Sequence, residues 1–238
     1  MRFSLAITLL LLVSCGTTRS PEQSRRASPE IETFGSGETL HYLVLGDSTA
    51  VGEGGAYANG IAVMTARHLA AGRQVIVKNL GVSGAQVTDV LREQLPRIDG
   101  FVPDVVLLAA GANDVTHLTT AGSVKRDLRQ IVEALVSINR DVRIVMTGAP
   151  DMSTPPRIPW LLRRLAGWRT NALNRVFREQ AERYGLTFAP IAEQTGPLFE
   201  TDKTLFSSDE FHPNDRGYAT WIPVISRALD RALARGSS

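Results

Sequence analysis

A chain of 238 residues with 43% hydrophobic content is long enough to bury one α/β core and short for two, at roughly 100 to 200 residues per domain. Its net charge of +2 comes from acids and bases spread along the chain, without the basic block or interleaved aromatics of a nucleic-acid groove, so nucleic acid is excluded as the expected partner. His41, His68, His117 and His212 lie far apart and none falls at a zinc-ligand spacing, so no metal is expected.

Arg2 precedes an apolar run, Leu5 to Val13, that has the length of a secretory signal and is too short for the ~20 residues of a membrane span. Residues 1–14 are therefore expected to be a signal peptide. The run ends in Leu12-Val13-Ser14-Cys15, which resembles the bacterial lipobox, where small residues precede a cysteine that becomes the lipidated first residue. Cys15 is the single cysteine, so no disulfide within the chain competes for its thiol. The plainer alternative is an ordinary signal peptide with an incidental cysteine. Lipidation would give an exported protein anchored to a membrane of the cell envelope without spanning it. From Gly16 to about Glu38 the chain is Ser, Thr, Pro, Arg and Glu with almost no large apolar residue; residues 15–39 are predicted to be a flexible tether and 40–238 the folded domain.

Beyond Leu40, short apolar runs alternate with longer helical patterns, the arrangement of βαβ units and a parallel sheet. Strands are predicted at Tyr42–Leu45, Val75–Val77, Val105–Leu108, Arg143–Met146 and Leu186–Phe188, their continuous apolar character suiting strands covered on both faces. Helices are predicted around Ile61–Ala71, Gln86–Leu95, Val124–Ile138, Leu161–Tyr184 and Tyr218–Ala234. Ligands of open α/β sheets bind beyond the carboxyl ends of the strands, which directs attention to the residues just after each one.

Gly46-Asp47-Ser48 follows the first strand, where Gly46 permits a tight exit that leaves the Ser48 hydroxyl at the sheet rim. Asn79-Leu80-Gly81-Val82-Ser83-Gly84 follows the second, Gly111-Ala112-Asn113-Asp114 the third, and Asp209-Glu210-Phe211-His212 lies near the C-terminus. A serine alcohol needs a base to take its proton, and the base needs an acid to fix its tautomer; His212 and Asp209, three apart, suit those two tasks. Attack on an ester also builds a negative oxygen, which a backbone N–H of the glycine loop and the Asn113 amide can meet.

This ordered set resembles the SGNH, or GDSL-type, hydrolases, whose blocks carry a Ser, a Gly, an Asn and a His. The resemblance runs from Leu43 to His212. It implies a flavodoxin-like three-layer α/β/α sandwich with a five-stranded parallel sheet. It also implies Ser48 as nucleophile, an Asp209–His212 pair completing the triad, and oxyanion donors at Ser48 N–H, Gly84 N–H and the Asn113 side chain. Gly81 lies close enough to Gly84 to leave the choice of donor open. The implied activity is cofactor-free hydrolysis of a carboxylic ester, on an acyl lipid or another acylated envelope substrate. An O-acetyl esterase of cell-wall polysaccharide and a non-catalytic ligand-binding lipoprotein are the alternatives.

Two further motifs compete. Ser83 sits in a sequence like a nucleophile elbow whose last glycine is replaced by Ala85, and Gly52-Glu53-Gly54 lacks the third glycine of a dinucleotide loop because Tyr57 stands there. Asp47, Asn79 and Asp114 read as loop-holding residues, and His117 as a pocket or surface residue. On the long helix after the fourth strand, Ile158, Leu161, Leu162, Leu165, Ala172 and Val176 form a stripe expected to pack on the sheet. Trp160 falls outside that stripe among Arg163, Arg164 and Arg178, and is an expected acyl-site or interfacial contact.

Overall fold

The computed structural model describes residues 30–235. The expected signal peptide, residues 1–14, and Cys15 lie outside the described residues. In chain order the elements are β1 (Ile31–Gly35), β2 (Thr39–Gly46), α1 (Ser48–Val51), α2 (Ile61–Leu69), β3 (Gln74–Asn79), α3 (Val87–Asp89), β4 (Val105–Ala109), α4 (Ala112–Thr116), α5 (Ala121–Ile138), β5 (Arg143–Met146), α6 (Trp160–Arg183), β6 (Thr187–Phe188), α7 (Ile191–Thr201) and α8 (Asp215–Ala234).

The strands form one sheet in the order β1-β3-β2-β4-β5-β6. Five are parallel, and β1 pairs antiparallel with β3 at the edge, Ile31 opposite Lys78 and Gly35 opposite Gln74. The sheet thus has six strands where five were expected, and the extra one lies inside the segment expected to be tether. Phe34 explains why this stretch folds: it packs against the core on the sheet face shared with α2. Glu32 accepts a 2.5 Å hydrogen bond from the Tyr57 hydroxyl, and Glu30 pairs with Arg97 at 2.8 Å.

Successive side chains of a strand point to opposite faces, so the parallel strands feed two cores. Tyr42, Val44, Val75, Val77, Val105, Leu107 and Val145 meet α2 and α8 through Ile61, Ala66, Tyr218, Ile225 and Leu229. Leu43, Leu45, Val106, Leu108, Ile144 and Met146 meet α5 and α6 through Leu128, Ile131, Leu135, Leu173 and Phe177. Helices on both sheet faces make the three-layer sandwich.

Two helices depart from expectation. The stretch predicted as one helix over Gln86–Leu95 is α3 followed by a π-helical turn at Val90–Gln94 and a 3-10 turn at Leu95–Arg97. The predicted stripe on α6 is its packing face only in part: Ile158 and Val176 are buried, Val176 in the core, but the middle of the stripe is not. Leu161 and Leu165 are exposed, and the buried side runs through Thr170, Leu173, Asn174, Phe177 and Gln180. The polar members caused the misreading: Asn174 is buried because its amide exchanges two hydrogen bonds with the Ala149 backbone, at 2.8 and 2.9 Å.

Candidate active site

The first strand exit is a forced glycine position. Gly46 has φ of +148°, and a Cβ there would run into the Ala109 carbonyl of the neighbouring strand. The turn is clamped by Gln94, a fully buried side chain that accepts from Gly46 N at 2.9 Å and donates to Gly46 O at 2.7 Å. Asp47 then caps α1, its carboxylate accepting from Thr49 N at 2.9 Å and the Thr49 hydroxyl at 2.8 Å. Burial pushes the Asp47 carboxyl up, opposed by those bonds and by the charge of His212. Ser48 is left as the first residue of α1, directly beyond the sheet.

The loop before α8 supplies the partners. Asp209 accepts from Ser207 Oγ, Phe211 N and His212 N through one oxygen, and its other oxygen lies 2.6 Å from His212 Nδ1. Burial works against ionisation of Asp209, but these hydrogen bonds outweigh it and hold the carboxyl well below the usual range. His212 Nε2 is 2.8 Å from Ser48 Oγ, across 164 residues of sequence. A Cβ on Gly54 would sit 2.7 Å from the His212 Cβ, so that glycine admits the histidine loop against the loop following α1.

The third wall comes from the β3 and β4 exits. Gly81 lies under α1, and its N–H is spent on Asn79 Oδ1 at 3.0 Å. Gly84 has φ of +84°, open space where a Cβ would be, and an N–H bonded to nothing among the described residues. Of the two loop glycines, Gly84 therefore retains a donor. Asn113 Nδ2 donates to Ala85 O at 3.0 Å, which fixes the amide and leaves its second hydrogen unspent. Asp114 stiffens this wall from behind by accepting from Val87 N at 3.0 Å. Burial raises its carboxyl to about 6 against the opposing pull of that bond.

A cavity lies beside Ser48 and His212, bounded also by Ala112 and by residues of α7, and is lined mainly by apolar groups, among them Pro150, Met152, Phe199, Phe206, Phe211 and Trp221; Gly84 and Asn113 are not in its lining. Sequence reasoning missed α7, whose Gly196 and Pro197 break the helical pattern, and with it Thr195, Gly196 and Phe199 on the cavity wall. It also missed Gln94, which nothing in the sequence distinguishes from other polar helix residues. Trp160 is 75% exposed and is not among the residues lining the cavity. His117 is bonded to Asn113 O and lies outside it too. Ser83 donates to Glu53 at 2.5 Å and has no imidazole partner among the described residues. No cluster of potential metal ligands is found among the described residues.

This fold and strand-end constellation define an SGNH-type α/β hydrolase architecture. The family model of the GDSL-like Lipase/Acylhydrolase family matches residues 44–220, and the chain belongs to that family. It is similar to a GDSL-like esterase of Mycobacterium tuberculosis, 30% identical over 199 residues. That match covers 82% of this chain, and the chain spans only 63% of the relative's length. Three solved structures share the fold. An extracellular lipase of Streptomyces rimosus has a TM-score of 0.62 at 21% identity, covering 79% of this chain and 99% of that one. A member of the lipolytic G-D-S-L family from Veillonella parvula has 0.65 at 15%, covering 81% and 99%. An acetyl-xylooligosaccharide esterase variant from Geobacillus has 0.63 at 19%, covering 82% and 95%.

Proposed function

We propose that the chain is a serine esterase that takes the acyl group of a carboxylic ester into the apolar cavity and passes it through an acyl-Ser48 intermediate. The observation that carries this reading is the hydrogen-bonded line Asp209–His212–Ser48, with separations of 2.6 and 2.8 Å, opening onto that cavity. Ser48 Oγ attacks the ester carbon while His212 Nε2 takes its proton, and His212 then returns the proton to the leaving alcohol. Asp209, ionised at neutral pH, holds the ring by Nδ1 and stabilises the imidazolium. The N–H groups of Ser48 and Gly84 and the second Asn113 amide hydrogen receive the oxyanion. Water repeats the sequence on the acyl-enzyme with His212 as base. No step needs a cofactor.

Cys15 and the run before it support export and lipid anchoring in the cell envelope, which places acyl lipids and acylated wall polymers within reach. The apolar lining favours the former. A panel of nitrophenyl esters of increasing chain length, run beside acetylated xylan, tests this. Higher kcat/KM for acyl chains longer than acetate supports an acyl-lipid substrate; a preference confined to acetate, with release of acetate from the polymer, would replace it with an O-acetyl esterase.

A further inference from the structure

The first half of α6 turns its apolar residues to solvent. Trp160 is 75% exposed, Leu161 66% and Trp168 62%, the three largest exposures of large apolar side chains among the described residues, and Leu165 on the same helix is 40% exposed. At ~100° per residue, these four together with Arg164 and Arg175 fall within an arc of about 140°, and they run about 22 Å along the helix. Both arginines are exposed. The ion pairs of this helix, Glu179 with Lys125 and Arg178 with Glu193, lie towards its other end. From Asp151 to Glu179 the chain holds six arginines and not one intervening acid. Leu118, 46% exposed, stands in a loop tied to the same helix by Arg169, which donates to the Val115 and Thr119 carbonyls at 3.0 and 2.8 Å.

We propose that this face of α6 docks onto an anionic lipid bilayer. Tryptophan rings suit the headgroup level, where one side of the ring meets acyl chain and the indole N–H meets water. Two leucines between them supply the buried apolar area, and the arginines meet lipid phosphates. A second copy of the chain fits less well, because a two-fold pairing through this face would bring together two patches of the same positive sign, with no acid between Asp151 and Glu179 to offset it. The segment leading into this face also touches the cavity wall. Arg157, just before α6, donates its N–H to Glu210 O at 3.0 Å and holds its guanidinium 5.9 Å from the centre of the Phe211 ring, which lines the cavity beside His212. Docking stands without the esterase reading; only its use in delivering lipid esters to Ser48 rests on that reading.

The tryptophans report on the proposal directly, since of the three in the chain only Trp221 is buried. The full chain is mixed with vesicles carrying brominated acyl chains, either of phosphatidylcholine alone or with phosphatidylglycerol added. Anionic vesicles should quench and blue-shift the emission, and neutral vesicles should do so at least tenfold more weakly, on the order of one charge-lipid contact per arginine. Leu161→Asp with Leu165→Asp should abolish the quenching. Arg164→Glu with Arg175→Glu should remove the preference for anionic vesicles, and Ser48→Ala should dock as the parent does, which separates this proposal from the assignment of the nucleophile. All four substituted α6 side chains face solvent, so the fold is retained. Unquenched emission with anionic vesicles, equal quenching by neutral ones, quenching that survives the leucine pair, or an emission change that follows protein concentration without lipid would each overturn the docking surface, the last in favour of a second copy.

Discussion

Buried polar side chains usually have their hydrogen bonds met, and the three that hold the site differ in this. Gln94 is fully buried and bonded, Asn113 is half-buried and bonded, and Asp114 is buried with its Oδ1 unpartnered among the described residues. Gln94 is the most exacting, because it satisfies both backbone groups of Gly46 at the point where the strand must turn to present Ser48. Gln94→Ala leaves the buried Gly46 N–H unpaired, at a cost of about 1 to 3 kcal/mol before any relaxation, while the Gly46 carbonyl keeps its bond from Val82 N at 3.1 Å. Thermal unfolding should shift down and kcat should fall with KM little changed; a variant with parental kcat would show that the turn holds its shape unaided. Asn113→Ala should lower turnover by about 10² to 10³, as for a donor used mainly in the transition state, with little change in substrate affinity. An unchanged turnover number would take Asn113 out of the oxyanion site. Asp114 makes a different demand. Its carboxyl is raised to about 6 in the folded protein, above its ordinary 3.8, so the unfolded chain releases this proton first as pH rises. The group favours the fold least above pH 6 and its penalty grows between about 4 and 6. Asp114→Asn keeps an acceptor for the Val87 N–H and removes the charge, and should gain on the parent by up to about 2 to 3 kcal/mol across that window. Denaturant midpoints measured from pH 4 to 7 check this; a constant difference between the two proteins would refute it.

At the level of elements, legibility in the sequence followed burial. The β2, β3, β4 and β5 runs are continuous apolar stretches because both faces are covered, and each is found where the sequence puts it. Edge strand β1 escapes notice because only Phe34 contributes to a core, in a stretch whose composition is that of a linker. The π-helical turn at Val90–Gln94 leaves no periodic signature, yet it is part of the stretch that carries Gln94 to Gly46. On α6 the hydrophobic pattern holds in the second half, where Val176 is buried, and fails in the first: Leu161 and Leu165 go outward, while Thr170, Asn174 and Gln180 go inward. The site was more legible than its surroundings. Ser48, Gly84 and Asn113 follow strands and Asp209 and His212 precede the last helix, each within a motif, whereas the apolar cavity depends on Phe199, Phe206, Phe211 and Trp221, aromatic residues that any core would use.

For the whole molecule, two devices would act on the same surface: a lipid at Cys15 and the exposed face of α6. A single acyl chain or a single interfacial helix gives reversible binding, and the pair together gives a stable one. Cys15→Ser should therefore shift the protein from the membrane fraction to the soluble fraction at high salt, where the arginine contacts are screened, while the parent stays with the membrane. Equal partition of the two would mean that residue 15 carries no anchor. On the proposed mechanism the Asp209–His212 pair makes a nucleophile of Ser48, while the other candidate serine, Ser83, is bonded to Glu53. Reaction with a fluorophosphonate, followed by peptide mass spectrometry, tests it most directly. The adduct should fall on Ser48, be lost in Ser48→Ala and His212→Ala, and persist in Ser83→Ala; an adduct that survives Ser48→Ala and vanishes in Ser83→Ala would make Ser83 the nucleophile.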